Sequence, residues 1–472
     1  MSKPAETASE TVIESLDLEA LCEWLEGQRW YASKSRHVTG IEIDESVTLG
    51  SAPPMLLTLI QARFASGSHE LYQLPLSYVG PGVTEPAGHT PIQRTTEAAV
   101  FDAVADPERA RVLLRAIDAG EPIETENGCF SFHRAEQSGQ LFPDAPVRPV
   151  GVEQSNSSIV FGEETVLKVF RKLEPGINPE LELLQFLTRQ GYANIAPLLG
   201  WYEYDGRSFA ATLGVAQRFF PEATGGWELA LAQIGTDPEG FLLELGNLGQ
   251  VTAELHNALA SDASDPAFSP DEPSSESLSL LTATIDEDIE RIFVRLPDDE
   301  RVASIAGRGQ DVREQVATRA QIGSGGREIR THGDFHLGQT LHISDPTHPG
   351  WLIIDFEGEP ARPLFERRQK RSPLRDVASM LRSFAYATSA TEIRTGEPAP
   401  AEFEERARRL FLEQYFSHID PVLLPSGETA IRNLLSIFEL EKAIYELQYE
   451  LDNRPDWLPI PVAGINRLLE SE

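Results

Sequence analysis

Arg330-Thr-His-Gly-Asp-Phe-His-Leu-Gly-Gln-Thr-Leu-His-Ile343 and, after a short turn, Trp351-Leu-Ile-Ile-Asp-Phe-Glu-Gly-Glu359 carry the most informative chemistry in this chain. An acid, Asp334, precedes an amide, Gln339, by five residues, and a second acid, Asp355, ends an apolar run. That spacing suits phosphoryl transfer. An attacking hydroxyl must be held in line with a terminal phosphate, and the phosphate charge must be offset by a metal on carboxylate and amide oxygens. Asp334 is therefore the candidate general base. Gln339 and Asp355 are the candidate Mg²⁺ ligands, because Mg²⁺ prefers oxygen donors.

Two other readings compete. A single HxD is also what a polar turn between strands looks like, although the apolar strand that delivers Asp355 argues against it. His332, His336 and His342 surround Asp334, so imidazoles and a carboxylate binding zinc or iron would make a metallohydrolase. No matching upstream or downstream His pair completes such a site.

With 472 residues the chain has room for about three domains or two large lobes. No run approaches the ~20 apolar residues of a membrane span, and Met1–Glu10 lacks the basic-then-apolar pattern of a secretory signal. Cys22 and Cys129 are too few for a disulfide framework or a zinc cluster, and a reducing, cytoplasmic location is expected. The net charge of −34 argues against nucleic acid as a partner and is compatible with a salt-rich cytoplasm. Only six of the 40 basic residues are Lys.

Along the chain, residues 10–26 have helical spacing, and segments around 41–47, 55–64 and 70–79 read as strands. Pro81–Thr90 reads as a linker. A helix over 107–118 precedes strands at 122–135, 147–161, 165–170 and 209–219, after which helical periodicity dominates. Ser261–Ser277 reads as a mobile surface loop.

Lys168 lies in the apolar strand Thr165–Phe170, where an unpaired ammonium is costly to bury. The following helix, capped by Asn178, offers Glu180 and Glu182, of which Glu182, one turn in, is the favoured partner. A Lys–Glu pair between a strand and the next helix orients ATP phosphates in kinases; a snorkelling edge-strand lysine is the alternative. Gly151–Ser158 precedes that strand where a phosphate-covering loop belongs. It has no glycine fingerprint, so Ser155, Asn156, Ser157 and Ser158 would have to supply the donors. Gln217 and Phe219 end the strand expected to meet adenine. Asp376, opening a helix after Pro373, reads as a tie between the catalytic loop and the helical core. The aromatic and polar mixture of Lys442–Trp457 suits a sugar pocket, or equally an amphipathic core helix.

Together, Thr331–Gln339, Ile354–Pro363, Glu366-Arg-Arg368, Ser372–Ala378 and Met380–Tyr386 resemble bacterial maltokinases, within the aminoglycoside-phosphotransferase-like group of the protein-kinase-like superfamily. The resemblance extends to Arg29–Lys34, Glu153–Ser158, Glu174–Pro179, Gly226–Leu231 and Asn453–Trp457. It implies an α+β, bilobal protein-kinase-like fold with an extra N-terminal cap and a mainly helical C-terminal lobe. The implied parts are a cap at 1–90, an intermediate subdomain at 91–219 and a helical lobe at 220–472. The implied activity is ATP- and Mg²⁺-dependent phosphorylation of maltose at its anomeric hydroxyl, giving maltose 1-phosphate for α-glucan synthesis, in association with a trehalose synthase. Gln at 339, where the wider group has Asn, matches the maltokinase branch. Related enzymes of this architecture phosphorylate other sugars, such as glucosamine, so the acceptor stays open. Sugar contacts are assigned to Arg382, Tyr386, Tyr445, Tyr449, Asn453 and Arg454. A pseudokinase is disfavoured because Lys168, Asp334, Gln339 and Asp355 are all present.

Overall fold

The computed structural model describes residues 12–31, 33–50, 54–80, 85, 89–96, 98–136, 139–150, 156–321, 325–344 and 350–470. Two compact units emerge, one of residues 1–185 and 196–221, the other of residues 186–195 and 222–472. Ser155, the rest of Gly151–Ser155, Met1–Glu10 and most of the expected linker lie outside the described residues.

The first unit opens with helix α1 (Leu18–Gly27). A continuous helix over 10–26 does not form: the Asp17 carboxylate accepts the Glu19 and Ala20 N–H groups and starts a new helix there. Strands β1 (Val38–Leu49), β2 (Met55–Phe64), β3 (His69–Val79), β4 (Gln93–Arg94) and β5 (Ala99–Asp102) form an antiparallel sheet in the order β1-β2-β3-β5-β4. Leu21, Leu25, Trp30 and Tyr31 bury themselves against Leu56, Ile60, Tyr72 and Leu74 of this sheet. The sheet runs past residue 90 to Asp102, so its strands cross the expected cap boundary.

Helix α2 (Pro107–Ala119) starts with Pro and ends at left-handed Gly120. A second sheet follows, from β6 (Ile123–Glu124), β7 (Gly128–Arg134), β8 (Val147–Pro149), β9 (Asn156–Phe161), β10 (Thr165–Phe170), β12 (Leu198–Gly206) and β13 (Ala210–Arg218), in the order β6-β7-β12-β13-β10-β9-β8. β11 (Lys172–Leu173) leaves β10 to pair with β3 of the first sheet. Buried Gln73 of β3 strengthens this junction: its amide donates to Phe170 O (2.7 Å) and Leu213 O (2.6 Å) and accepts from Tyr202 Oη (2.9 Å). Helix α3 (Pro179–Gln190) follows β11.

The second unit is mainly helical: α4 (Gly226–Gln233), α5 (Pro238–Leu259), α6 (Ser275–Phe293), α7 (Gly309–Arg319), α8 (Leu364–Arg367), α9 (Leu374–Thr395), α10 (Phe403–His418), α11 (Glu428–Asn453) and α12 (Pro459–Glu470). Its small sheet has the order β14-β15-β16, from Thr224–Gly225, Thr340–His342 and Trp351–Ile353. α5 and α10 approach so closely at Gly249 that a Cβ there would run into the Phe411 backbone. The segment expected to be a mobile loop is pinned by Phe268, which is buried and stacks on Phe186 at 3.6 Å between centroids, and by a bridge between Asp271 and Glu328. Among the described residues no helix is long and apolar enough to cross a membrane.

Candidate active site

In the second unit, the β15–β16 hairpin pairs Thr340 with Ile353, and one step further the Ile354 N–H donates to Gln339 O at 3.0 Å. This register carries Gln339 and Asp355 to the same end of the hairpin. Asp355 has φ 63°, the left-handed region that non-glycine residues seldom occupy. A strained backbone of this kind, worth about 1–3 kcal/mol, persists where surrounding structure over-determines it, commonly at functional sites. Carboxylate oxygens of Asp355 and Glu357 lie within 4.8 Å of each other. The donors gathered here are oxygens, the set that suits Mg²⁺.

The loop bearing Asp334 is fixed from below by Asp376 in the first turn of α9. One Asp376 oxygen accepts the His332 N–H (2.8 Å), the other the Gly333 N–H (3.0 Å). His256 Nε2 adds a contact to the Asp376 carboxylate at 3.2 Å, and its Nδ1 meets Tyr415 Oη at 2.9 Å. Burial opposes ionisation of Asp376, but the His256 hydrogen bond, the His256 and His332 imidazoles and the Gly333 N–H outweigh it and hold its carboxyl below the usual range. A carboxyl with a depressed folded pKa stabilises the fold above its unfolded value, near 4, and loses that contribution as pH falls through the folded value. Thermal melts of wild type and Asp376→Asn from pH 7 to pH 3 are therefore expected to differ most at neutral pH and to converge on acidification.

Each of the three histidines has its own task. His332 Nε2 is 2.9 Å from Ile354 O while its Nδ1 receives the Asp334 N–H at 3.4 Å, which sets the proton on Nε2 and ties the loop to the strand before Asp355. His336 Nδ1 accepts the Gly338 N–H at 3.0 Å, and its Nε2 stands 3.8 Å from Asp334 Oδ2. Burial lowers the His336 pKa, with Lys442 and His332 pushing the same way against Asp334 and Asp355. His342 pairs with Glu244 at 3.1 Å and packs edge-on against Trp351. The imidazoles thus face three different partner sets rather than converging.

Sequence reasoning passed over the most intimate partner of Asp334. Lys442 of α11 places Nζ 3.6 Å from Asp334 Oδ1 and 5.1 Å from the Tyr445 ring centroid. Burial works against the Lys442 charge, but Asp334, Glu359 and Glu446 more than compensate and raise its pKa. Its rarity as one of six lysines, just ahead of an aromatic run, was the available signal.

The expected sugar residues separate into two groups. Tyr445 and Tyr449, each 45% exposed and four residues apart on α11, carry cations over their rings, Lys442 Nζ at 5.1 Å and the Arg454 guanidinium at 5.2 Å. Asn453, a further turn along, is exposed, its amide donating to Tyr449 O. Arg454 grips Glu450 through two bonds (2.7 and 3.0 Å) and lies over Tyr449 and Trp457. Tyr386 donates to Glu450 at 3.1 Å and stacks on Trp457. Arg382 is the correction: it is 2% exposed, bonded to Glu446 Oε2 at 2.6 and 2.9 Å, and walled in so tightly that a Cβ on Gly464 would collide with it. Residues 380–385 are buried all round α9, so no face is left there for a ligand.

In the first unit, Lys168 pairs with Glu180 at 2.8 Å, the carboxylate passed over in favour of Glu182. The Asn178 side chain accepts the Glu180 N–H (2.8 Å), fixing the first turn of α3 so that Glu180, Leu184 and Leu187 share its buried face. Glu182 is only partly buried. Asn156, Ser157 and Ser158 are strand residues rather than loop donors: they pair with Phe170, Val169 and Lys168. Ser158 shares the face of Lys168, whereas Ser157 faces away and its hydroxyl accepts from Arg171 at 2.8 Å. Gln217 is buried, its amide donating to Ala196 O at 3.1 Å, and the Phe219 N–H bonds Glu164 O.

Residues 24–106 match the maltokinase N-terminal cap domain family. A glucosamine kinase of Streptacidiphilus jiangxiensis is 26% identical over 343 residues, 69% of this chain and 74% of that protein. A solved glucosamine kinase structure (crystal form B) superposes over the whole of both chains with a TM-score of 0.73 at 18% identity. Another, in complex with glucosamine, ADP and inorganic phosphate, covers 95% of this chain and 99% of that one with a TM-score of 0.68 at 20% identity. The fold is thus that of these kinases, with an N-terminal cap and a mainly helical C-terminal region.

Proposed function

We propose that the protein is a sugar kinase that transfers the terminal phosphoryl group of ATP to the anomeric hydroxyl of maltose. The observation that carries this reading is the second unit's catalytic constellation: Asp334 on a loop clamped by Asp376, with Gln339 and Asp355 delivered to one end of the adjoining hairpin. The maltokinase cap match and the glucosamine kinase relatives support a sugar as acceptor.

Asp334 takes the proton of the attacking hydroxyl as that oxygen bonds to the terminal phosphorus, and the bond from phosphorus to the bridging oxygen breaks to release ADP. Lys168, steadied by Glu180, holds the nucleotide phosphates. Mg²⁺ on Asp355 and Gln339 would offset phosphate charge when bound. The product, maltose 1-phosphate, suits α-glucan synthesis in the cytoplasm.

Glucosamine is the second acceptor, favoured by the names of the relatives. Incubation with ATP-Mg²⁺ and maltose, glucose, glucosamine or trehalose, followed by ADP release, decides between them. Maltose is expected to give the highest kcat/KM; turnover of a monosaccharide alone would reject maltose and keep the kinase. Zinc retained stoichiometrically without nucleotide would instead favour hydrolysis.

A further inference from the structure

We propose that His336 is a positioning residue for the phosphoryl transfer: its ring N–H, together with Lys442 on the other oxygen, fixes the orientation of the Asp334 carboxylate. The inference rests on the sugar-kinase reading and names a further residue on which its chemistry depends.

The need comes from Asp334 itself. The last torsion of an aspartate is broad and roughly two-fold, so the rotamer alone leaves the carboxylate plane free to swing. A general base must bring one oxygen to within about 2.6–3.2 Å of the atom whose proton it takes, so neighbours have to set that plane. Among the described residues, the basic or imidazole groups within ion-pair reach of this carboxylate stand one on each oxygen: Lys442 Nζ is 3.6 Å from Oδ1, and His336 Nε2 is 3.8 Å from Oδ2. Both separations are longer than a direct hydrogen bond, as catalytic contacts often are before substrate arrives, and a shift of about 1 Å closes either one.

What His336 brings is decided by its other nitrogen. Nδ1 accepts the Gly338 N–H at 3.0 Å, so it carries no proton; the ring is neutral and its one proton sits on Nε2, the atom that faces Asp334. The ring can therefore donate to the carboxylate and does not compete with it for the hydroxyl proton. Its place is built into the loop. His336, with an extended backbone (φ −150°, ψ 172°), caps the short 3₁₀ turn Leu337–Gln339, and that turn is anchored to α9 by the Leu337 N–H on Ser383 Oγ at 3.0 Å. The ring lies so close over Gly338 that a Cβ there would come within 2.8 and 2.9 Å of two of its atoms. Gly338 does not adopt a positive φ, so what its missing side chain accommodates is the imidazole.

The test separates the two ring nitrogens. His336→Asn keeps an acceptor for the Gly338 N–H and loses the Nε2 donor, whereas His336→Gln can place an amide N–H where Nε2 stood. With the best sugar, His336→Asn is expected to lower kcat by about tenfold or more while KM for ATP and for the sugar stays within about threefold, because a misoriented reacting group costs rate rather than binding. His336→Gln is expected to retain at least about threefold more kcat than His336→Asn. In an Asp334→Asn background, His336→Asn is expected to cost less than about twofold, since a residue that acts through Asp334 has nothing left to orient there. Wild-type kcat in His336→Asn, no advantage of Gln over Asn, or the same fold loss in both backgrounds overturns the proposal. Should His336→Asn not fold, Gly338→Ala, which pushes the ring aside and keeps every polar group, is expected to give the same loss of kcat, and wild-type kcat there overturns it. Full turnover in Asp334→Asn fails the base assignment and this proposal with it, while a chain that phosphorylates no sugar of the panel fails the sugar-kinase reading itself.

Discussion

Asp334→Asn is expected to lower turnover by about 10²–10⁴-fold while leaving nucleotide affinity within about twofold. The substitution keeps the side chain's shape but removes the proton acceptor, and general-base catalysis contributes on that order. The loop backbone has little reason to respond, although Lys442 loses the carboxylate charge it faces at 3.6 Å. The loop is held by backbone N–H groups of His332 and Gly333 on Asp376 and by the His332 ring on Ile354 O, none of which uses the Asp334 carboxylate. The measurement is single-turnover phosphorylation of the best sugar, with ADP binding and a thermal melt as controls. Near-wild-type turnover would remove Asp334 from the chemistry. Lost turnover together with a melt lowered by many degrees would assign it to the scaffold.

The second large effect is on stability. Arg382→Ala is expected to destabilise by about 3–5 kcal/mol, because it leaves Glu446 as a buried carboxylate without its cation. Replacing both partners by apolar residues, Arg382→Met with Glu446→Leu, is expected to recover most of that loss, since a well-packed apolar pair does as well as a buried ion pair. Denaturant unfolding of both single variants and the double variant closes the cycle. The same proteins test whether Arg382 meets the sugar. If the double variant refolds to near-wild-type stability and its KM for the sugar is unchanged, the guanidinium is scaffold. A KM raised tenfold in a stable double variant would restore it to the pocket.

The elements were largely legible because each carries local punctuation. Met55–Phe64 and Thr165–Phe170 are mainly apolar runs of strand-like composition, and their strands begin and end where the runs do. The α2 helix is bracketed by Pro107 and Gly120. The spacing of Asp334, Gln339 and Asp355 could be read because a hairpin maps sequence distance directly onto spatial distance. What escaped was tertiary. Glu180 and Glu182 both look suitable as partners for Lys168, and the choice depends on which face of α3 is buried, set by the packing of Leu184 and Leu187. Arg382 looked like a ligand group because nothing in its neighbourhood along the chain announces Glu446, 64 residues away. Lys442 was overlooked for the same reason: its role is defined by a loop more than a hundred residues earlier. The serines and asparagine at 156–158 read as loop because their composition is turn-like, yet pairing with β10 overrides that preference.

The Gln73 amide has a consequence for how this architecture can vary. One side chain of the first sheet occupies two carbonyls of the second, Phe170 O and Leu213 O, and takes the Tyr202 hydroxyl as well. Phe170 lies two residues beyond Lys168 on the same strand. Cutting the chain after the first sheet would take the partner from those three polar groups and uncover the buried side of the second sheet, so the N-terminal segment is not a removable accessory. Lineages that shed it would need to rebuild the exposed side of that strand, and truncated forms of this protein are expected to be insoluble rather than merely slower.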